Sequence, residues 1–141
     1  MSTEGCVAVK REDGWIGVYS AHDSYPSVLG ESLWYCLSEL EKQDKLNEFP
    51  LRLLAFGTWD DYVLANGDPL MSEGGSHITN KDDLSFLNWI YIVDVEQKKV
   101  EVLYPIFKNR RFEWKKIGEF IILEKPDFLA LERRADAIDQ M

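Results

Sequence analysis

The chain is poor in the residue types that build metal and redox centres. It has two cysteines, Cys6 and Cys36, and two histidines, His22 and His77. Neither cysteine has a second one at ligand spacing, so a zinc site lacks its ligand set and no metal is expected. Each thiol lies among apolar neighbours, which reads as a buried free cysteine in a reducing compartment. No apolar run approaches the ~20 residues of a membrane-spanning helix. The opening residues, with Glu4 among them, lack the pattern of a secretory leader, so the expected location is the cytoplasm. Positive charge is scarce too, at 16 basic against 25 acidic residues and a net charge of −9. That excludes general affinity for nucleic acid or anionic membranes, which need a basic face. Docking on a basic partner is permitted. The acids are dispersed, however, with Asp60-Asp61 and Asp82-Asp83 the only adjacent aspartates, so a solvated surface is expected and not a nucleic-acid mimic. The Gly74-Gly75 stretch has no following Lys-Ser/Thr, which excludes a P-loop.

What is present is apolar residue in quantity, at 45% hydrophobic and 13% aromatic over 141 residues. A chain of this length forms one domain, here residues 1–141, and buries about two-thirds of its surface. Two strand-like runs, at 6–9 and 15–19, flank Glu12-Asp13-Gly14, a hairpin signal. Leu29, Leu33, Cys36, Leu37 and Leu40 recur at helical spacing and predict a long helix over about 28–45, with Ser27 as its cap. Thr58-Trp59-Asp60-Asp61 has the cap and first-turn acids of a short helix. Residues 66–83, rich in Gly, Asp, Ser and Asn, read as the longest loop. A second hairpin spans 88–104, its first arm apolar on both faces as in a central strand. Further strands are expected at 111–114 and 117–123, and a short helix at 128–137. The fold class is α+β: an antiparallel sheet of five to six strands packed against one long helix plus short helices.

Three features carry candidate chemistry. His22-Asp23-Ser24-Tyr25-Pro26 offers triad residue types, but adjacent loop side chains diverge and local backbone bonding is the expected role. The alternative is a small hydrolase-like enzyme using His22 and Asp23, with the Gly74-Gly75 loop as a lid. The helix start near Ser27 and Gly30 offers free N–H groups to a phosphate. Residues 108–116 form the only locally basic stretch. As a strand it would set Arg110, Phe112 and Trp114 on one face and Arg111 with Glu113 on the other. A guanidinium beside two rings suits a nucleotide-like ligand, the rings stacking on a base and the arginine meeting a phosphate. Cys6, preceded by Gly5, would be an N-terminal nucleophile only if residues 1–5 were removed.

Met1-Ser2-Thr3-Glu4-Gly5, His22-Asp23-Ser24-Tyr25-Pro26 and Asn88-Trp89-Ile90-Tyr91-Ile92-Val93-Asp94 resemble a family of small uncharacterised bacterial and phage proteins. That family opens Met-Gly-Thr-Arg-Gly and carries Trp-Asp-Gly-Tyr-Pro and Glu-Trp-Ala-Tyr-Val-Ile-Asp at the corresponding places. This chain departs from it at Glu4, His22 and Ser24. The resemblance implies no established activity; its phage setting suggests an accessory protein acting against a host defence.

The expected function is therefore a non-catalytic binding protein, a phage-type inhibitor or sponge for a small anionic or nucleotide-like ligand. Its site residues would be Arg110, Arg111, Phe112, Trp114 and Tyr25, with no cofactor. The alternatives are a protein-only inhibitor or immunity-type module binding a basic partner, and the enzyme at His22 and Asp23. A homo-oligomer is compatible with the sequence.

Overall fold

A computed structural model of the chain describes residues 3–140. Its centre is a six-stranded sheet: β1 (Gly5–Arg11), β2 (Gly14–Ser20), β3 (Ile78–Thr79), β4 (Trp89–Asp94), β5 (Lys99–Lys108) and β6 (Arg111–Ile121). The spatial order is β3-β2-β1-β4-β5-β6. Four α-helices accompany it: α1 (Glu31–Lys42), α2 (Phe49–Leu54), α3 (Trp59–Leu64) and α4 (Phe128–Asp139). The α+β class stands, but the sheet is mixed, because β1 and β4 run parallel with Gly5 opposite Trp89. Every other pairing between these six strands is antiparallel. A parallel pair needs a long crossover. Here residues 12–88 separate the two: after β2 the chain carries α1 to α3 over one face and adds β3 at the sheet edge before it returns beside β1.

The helix expected over about 28–45 forms as two joined pieces. Residues Pro26–Gly30 make one π-helical turn, and α1 continues from it for 12 residues, the same length as α4. Leu29, Leu33, Leu37 and Leu40 are buried on the sheet as their spacing requires, each contributing about 1.5–3 kcal/mol of transfer free energy. Ser27 is no cap: the cap position falls on Tyr25, without a side-chain bond. Thr58 does cap α3, its Oγ1 accepting from Asp61 N–H at 3.0 Å. The segment before it is helical, as α2.

Strand β4 is buried along its whole length. Trp89, Tyr91 and Val93 join the core beneath the helices. Ile90 and Ile92 join a smaller cluster on the other face with Cys6, Ala8 and Trp15, closed over by Leu84 and Leu87 from the loop before β4. The stretch read as two strands after residue 110 is one, β6, paired with β5 from Lys99↔Ile121 to Lys108↔Arg111 with a register shift at Val102/Leu103.

Candidate functional site

The β4–β5 ladder ends at Ile90↔Leu103, whereas β5 and β6 remain paired to Lys108↔Arg111. Residues 105–114 therefore overhang the sheet as a two-stranded arm without a third strand. At ~3.3 Å per residue the overhang is about 15 Å long. Its tip is the two-residue turn Asn109-Arg110, with φ of 53° and 62°, the paired left-handed conformation of a type I′ hairpin. Arg110 thus occupies the turn and shares no strand face with Phe112 and Trp114. The strand reading failed there because two positive-φ residues end the alternation.

Side-chain alternation then sorts the arm. Phe107 pairs with Phe112 and Pro105 with Trp114, so these four residues occupy one face. Phe112 and Trp114 meet edge to face, centroids 5.5 Å apart. Phe107 is 74% exposed and Phe112 40%. Trp114 is half-buried against the smaller core cluster, and its indole N–H has no partner among the described residues. Arg110 at the tip and, on the opposite face beside Glu113, Lys108, Arg111 and Lys115 are exposed, and among the described residues none of these four cations engages in a salt bridge with a carboxylate. The arm thus concentrates rings and free cations in a chain of net charge −9. Phe107 and Pro105 were missed in the sequence; the visible signal was Asn109, a residue tolerant of the left-handed region, between two β-rich runs. Tyr25 lies elsewhere, at the start of the π turn, packed against the helix-covered core.

His22 to Pro26 is a structural junction. Asp23 has φ 49°, and it and His22 are exposed, while Ser24 is fully buried. The Ser24 hydroxyl donates to the Oγ and carbonyl of Ser20 at 3.1 and 3.4 Å, so it is sealed from any substrate. Ser24 N–H donates to the Thr3 carbonyl at 3.1 Å, and Tyr91 OH donates to the Ser24 carbonyl at 2.7 Å. Gly5 lies against it so closely that a Cβ there would stand 2.6 Å from Ser24 Cβ. Glu4 and Asn88 tie the same ends together, Asn88 N–H donating to the Glu4 carbonyl at 2.8 Å and Glu4 N–H to Asn88 Oδ1 at 3.1 Å. Residues 3–5, residues 22–26 and the start of β4 meet at this point, and Met1 and Ser2 lie outside the described residues.

The helix start near Ser27 already holds an anion. The Glu132 carboxylate of α4 accepts from Ser27 N–H at 2.8 Å, meeting the dipole of the turn from within the chain. The Gly74-Gly75 loop is docked by backbone: Gly74 bridges Phe56, and a Cβ on Gly75 (φ 148°) would stand 2.3 Å from Gly57 Cα. It lines a cleft with Tyr19 and His77 and does not cover His22. Cys6 is the second residue of β1 with no exposure, and burial pushes its thiol well above the ordinary value. The Cys36 thiol is likewise raised by burial, partly offset by its 3.3 Å contact with Tyr62 OH. Neither is a thiolate near neutrality, as a cysteine nucleophile must be.

Beside His22 and Asp23 lies a cleft of about 440 Å³. Val28, Leu29, Val63 and Leu64 contribute its apolar wall, with Asp23 and Asp60 among its charged lining. Asp60 also accepts from Ala21 N–H at 3.2 Å. Among the described residues no group of three or more His, Cys, Asp or Glu is placed to hold a metal ion, and no helix is long and apolar enough to cross a membrane.

The chain matches no protein-family model, no curated protein and no solved structure.

Proposed function

We propose that the protein is a non-catalytic binding protein whose recognition element is the β5–β6 arm, and that it captures an anionic, nucleotide-like ligand. The observation that supports this reading is the exposed pair Phe107 and Phe112 beside half-buried Trp114 on one face of an arm that carries Arg110 at its tip and Lys108 and Arg111 on its other face. A base stacked on one such ring contributes about 1–3 kcal/mol. A guanidinium adds a charge-assisted, bidentate contact to phosphate. Such a protein would work in the cytosol as a sponge or inhibitor withholding a nucleotide from a host defence, the role that the resemblance to phage-encoded proteins suggests.

Titration calorimetry with a nucleoside triphosphate and with a short oligonucleotide tests it. Trp114→Ala should weaken binding about five- to 150-fold, the equivalent of one lost stack, and Arg110→Ala should weaken it more at low salt than at high. Unchanged affinity in both variants would remove the arm as the site. The openness of the arm favours a second reading, in which the same rings meet an acidic protein surface. Binding of neither nucleotide probe, with capture of a protein through Phe107, would select that reading.

A further inference from the structure

The β5–β6 arm leaves two main-chain edges open, and they are not equivalent. On the β5 edge Pro105 has no N–H to offer, which blunts it for pairing. β6 has no proline and is the last strand of the sheet. Lys108↔Arg111 closes the two-residue turn as a hydrogen-bonded pair. Main-chain groups alternate from there, so Glu113 and Lys115 turn theirs toward β5, and Phe112 and Trp114 turn theirs outward. Among the described residues no turn or loop main chain bonds to Phe112 or Trp114. The edge closes at Ile117, whose carbonyl accepts from Arg134 Nη1 at 2.8 Å. A row of free N–H and C=O groups is a template for a further strand.

Side chains decide which strand fits. Glu113 and Lys115 are exposed on the face opposite the rings. Among the described residues neither engages in a salt bridge. When two copies of β6 lie antiparallel with Trp114 opposite Trp114, Glu113 of each copy faces Lys115 of the other. The outward main-chain groups of the two strands then meet as well. A register centred on Glu113, Lys115 or Lys116 puts like charges opposite one another, which destabilises a ladder. One centred on Phe112 sets Arg110, a turn residue with φ 62°, opposite Trp114 and shortens the ladder. The two-fold stands perpendicular to the sheet, so ring face continues into ring face and the isologous contact closes as a dimer.

We propose that β6 is a dimerisation edge: two copies join their sheets by antiparallel pairing of residues 112–116, centred on Trp114. This goes beyond the ligand-binding reading, because it uses the main chain with Glu113 and Lys115. It also sets the Phe112 and Trp114 rings of both copies side by side on one surface.

Sedimentation velocity over a concentration series up to about 1 mM, the weak end of measurable association, tests the inference on the full chain. The wild type should dimerise. Glu113→Lys sets lysine against lysine at both symmetric places, and Lys115→Glu sets glutamate against glutamate. Each should weaken the dimer about tenfold. Both residues are exposed, so circular dichroism should be unchanged. An equimolar mixture of the two variants should regain dimer, because lysines of one copy then face glutamates of the other. Amide exchange at Phe112 and Trp114 should slow with concentration in the wild type and not in either variant alone. A monomeric wild type, a dimer indifferent to both reversals, a mixture no better than its components, or a dimer that leaves those two amides unprotected would each overturn the proposal. Calorimetry with the nucleoside triphosphate on the monomeric Lys115→Glu, whose rings and Arg110 are intact, tells failure of this pairing from failure of the ligand reading.

Discussion

The junction at Ser24 makes a quantitative prediction. A Cβ added at Gly5 would stand 2.6 Å from Ser24 Cβ, 3.0 Å from its Oγ and 3.1 Å from the Trp89 carbonyl oxygen. Carbon atoms in contact prefer about 3.5–4.0 Å, so the overlap with Ser24 is about 1 Å against a fully buried neighbour. Overpacking of this kind costs about 1–3 kcal/mol. At about 3 °C per kcal/mol for a chain of this size, Gly5→Ala should lower Tm by roughly 3–9 °C. Ser24→Gly alone forfeits the hydroxyl bonds to Ser20, about 1 kcal/mol. It keeps the bonds from Thr3 and Tyr91, because those use the Ser24 main chain. The double variant removes both side-chain obstacles and leaves only the Trp89 oxygen at 3.1 Å. It should therefore be more stable than the sum of the single effects by about 1–2 kcal/mol. Urea unfolding followed by tryptophan fluorescence measures all four corners of the cycle. Strict additivity would show that Gly5 and Ser24 are not in contact and would refute the junction.

Three further outcomes follow from the same geometry. Arg110 holds φ 62° in the turn, a conformation that costs a non-glycine residue about 1 kcal/mol; Arg110→Gly should slow amide exchange along the arm while weakening anion binding, and faster exchange would contradict the type I′ turn. Tyr91→Phe leaves the buried Ser24 carbonyl without its 2.7 Å donor and should cost about 1–3 kcal/mol in the same urea assay; a neutral result would show that bond to be dispensable. Burial raises the Tyr91 and Tyr104 phenols above their ordinary 10.0, the latter with help from its bond to Asp139. In the folded state they stay protonated where the unfolded chain ionises, so stability is intact below pH 10 and falls as pH rises above it. The phenolate absorbance lost in Tyr91→Phe and in Tyr104→Phe relative to the wild type should appear together with unfolding, and loss of signal from a step well before it would show these rings to be accessible.

The sequence disclosed what depends on neighbouring residues. The Glu12-Asp13-Gly14 signal marks the β1–β2 hairpin, although the pairing Arg11↔Gly14 makes Glu12-Asp13 the turn itself. The leucine stripe located α1, and Thr58 located α3. The parallel pairing of β1 with β4 was hidden, because it rests on contacts across the whole helical crossover. The cover of the second face was hidden as well: Leu84 and Leu87 are two apolar residues in a loop of Asp, Ser and Asn, without periodicity. At the site, the basic-aromatic composition was legible but its geometry was not. The Asn109-Arg110 turn carries no glycine, so the hairpin signal was weak and Phe107 was not matched with Phe112. The cleft draws its wall from the π turn and α3, which only the tertiary fold brings together.

The central claim is that the arm captures an anionic, nucleotide-like ligand. Native mass spectrometry of the wild type and of Trp114→Ala, each exposed to a deproteinised cell extract, tests it most directly. The account predicts a discrete mass gain on the wild type that is lost on denaturation and strongly reduced in Trp114→Ala. The absence of a mass gain, or an equal gain on both proteins, would contradict it.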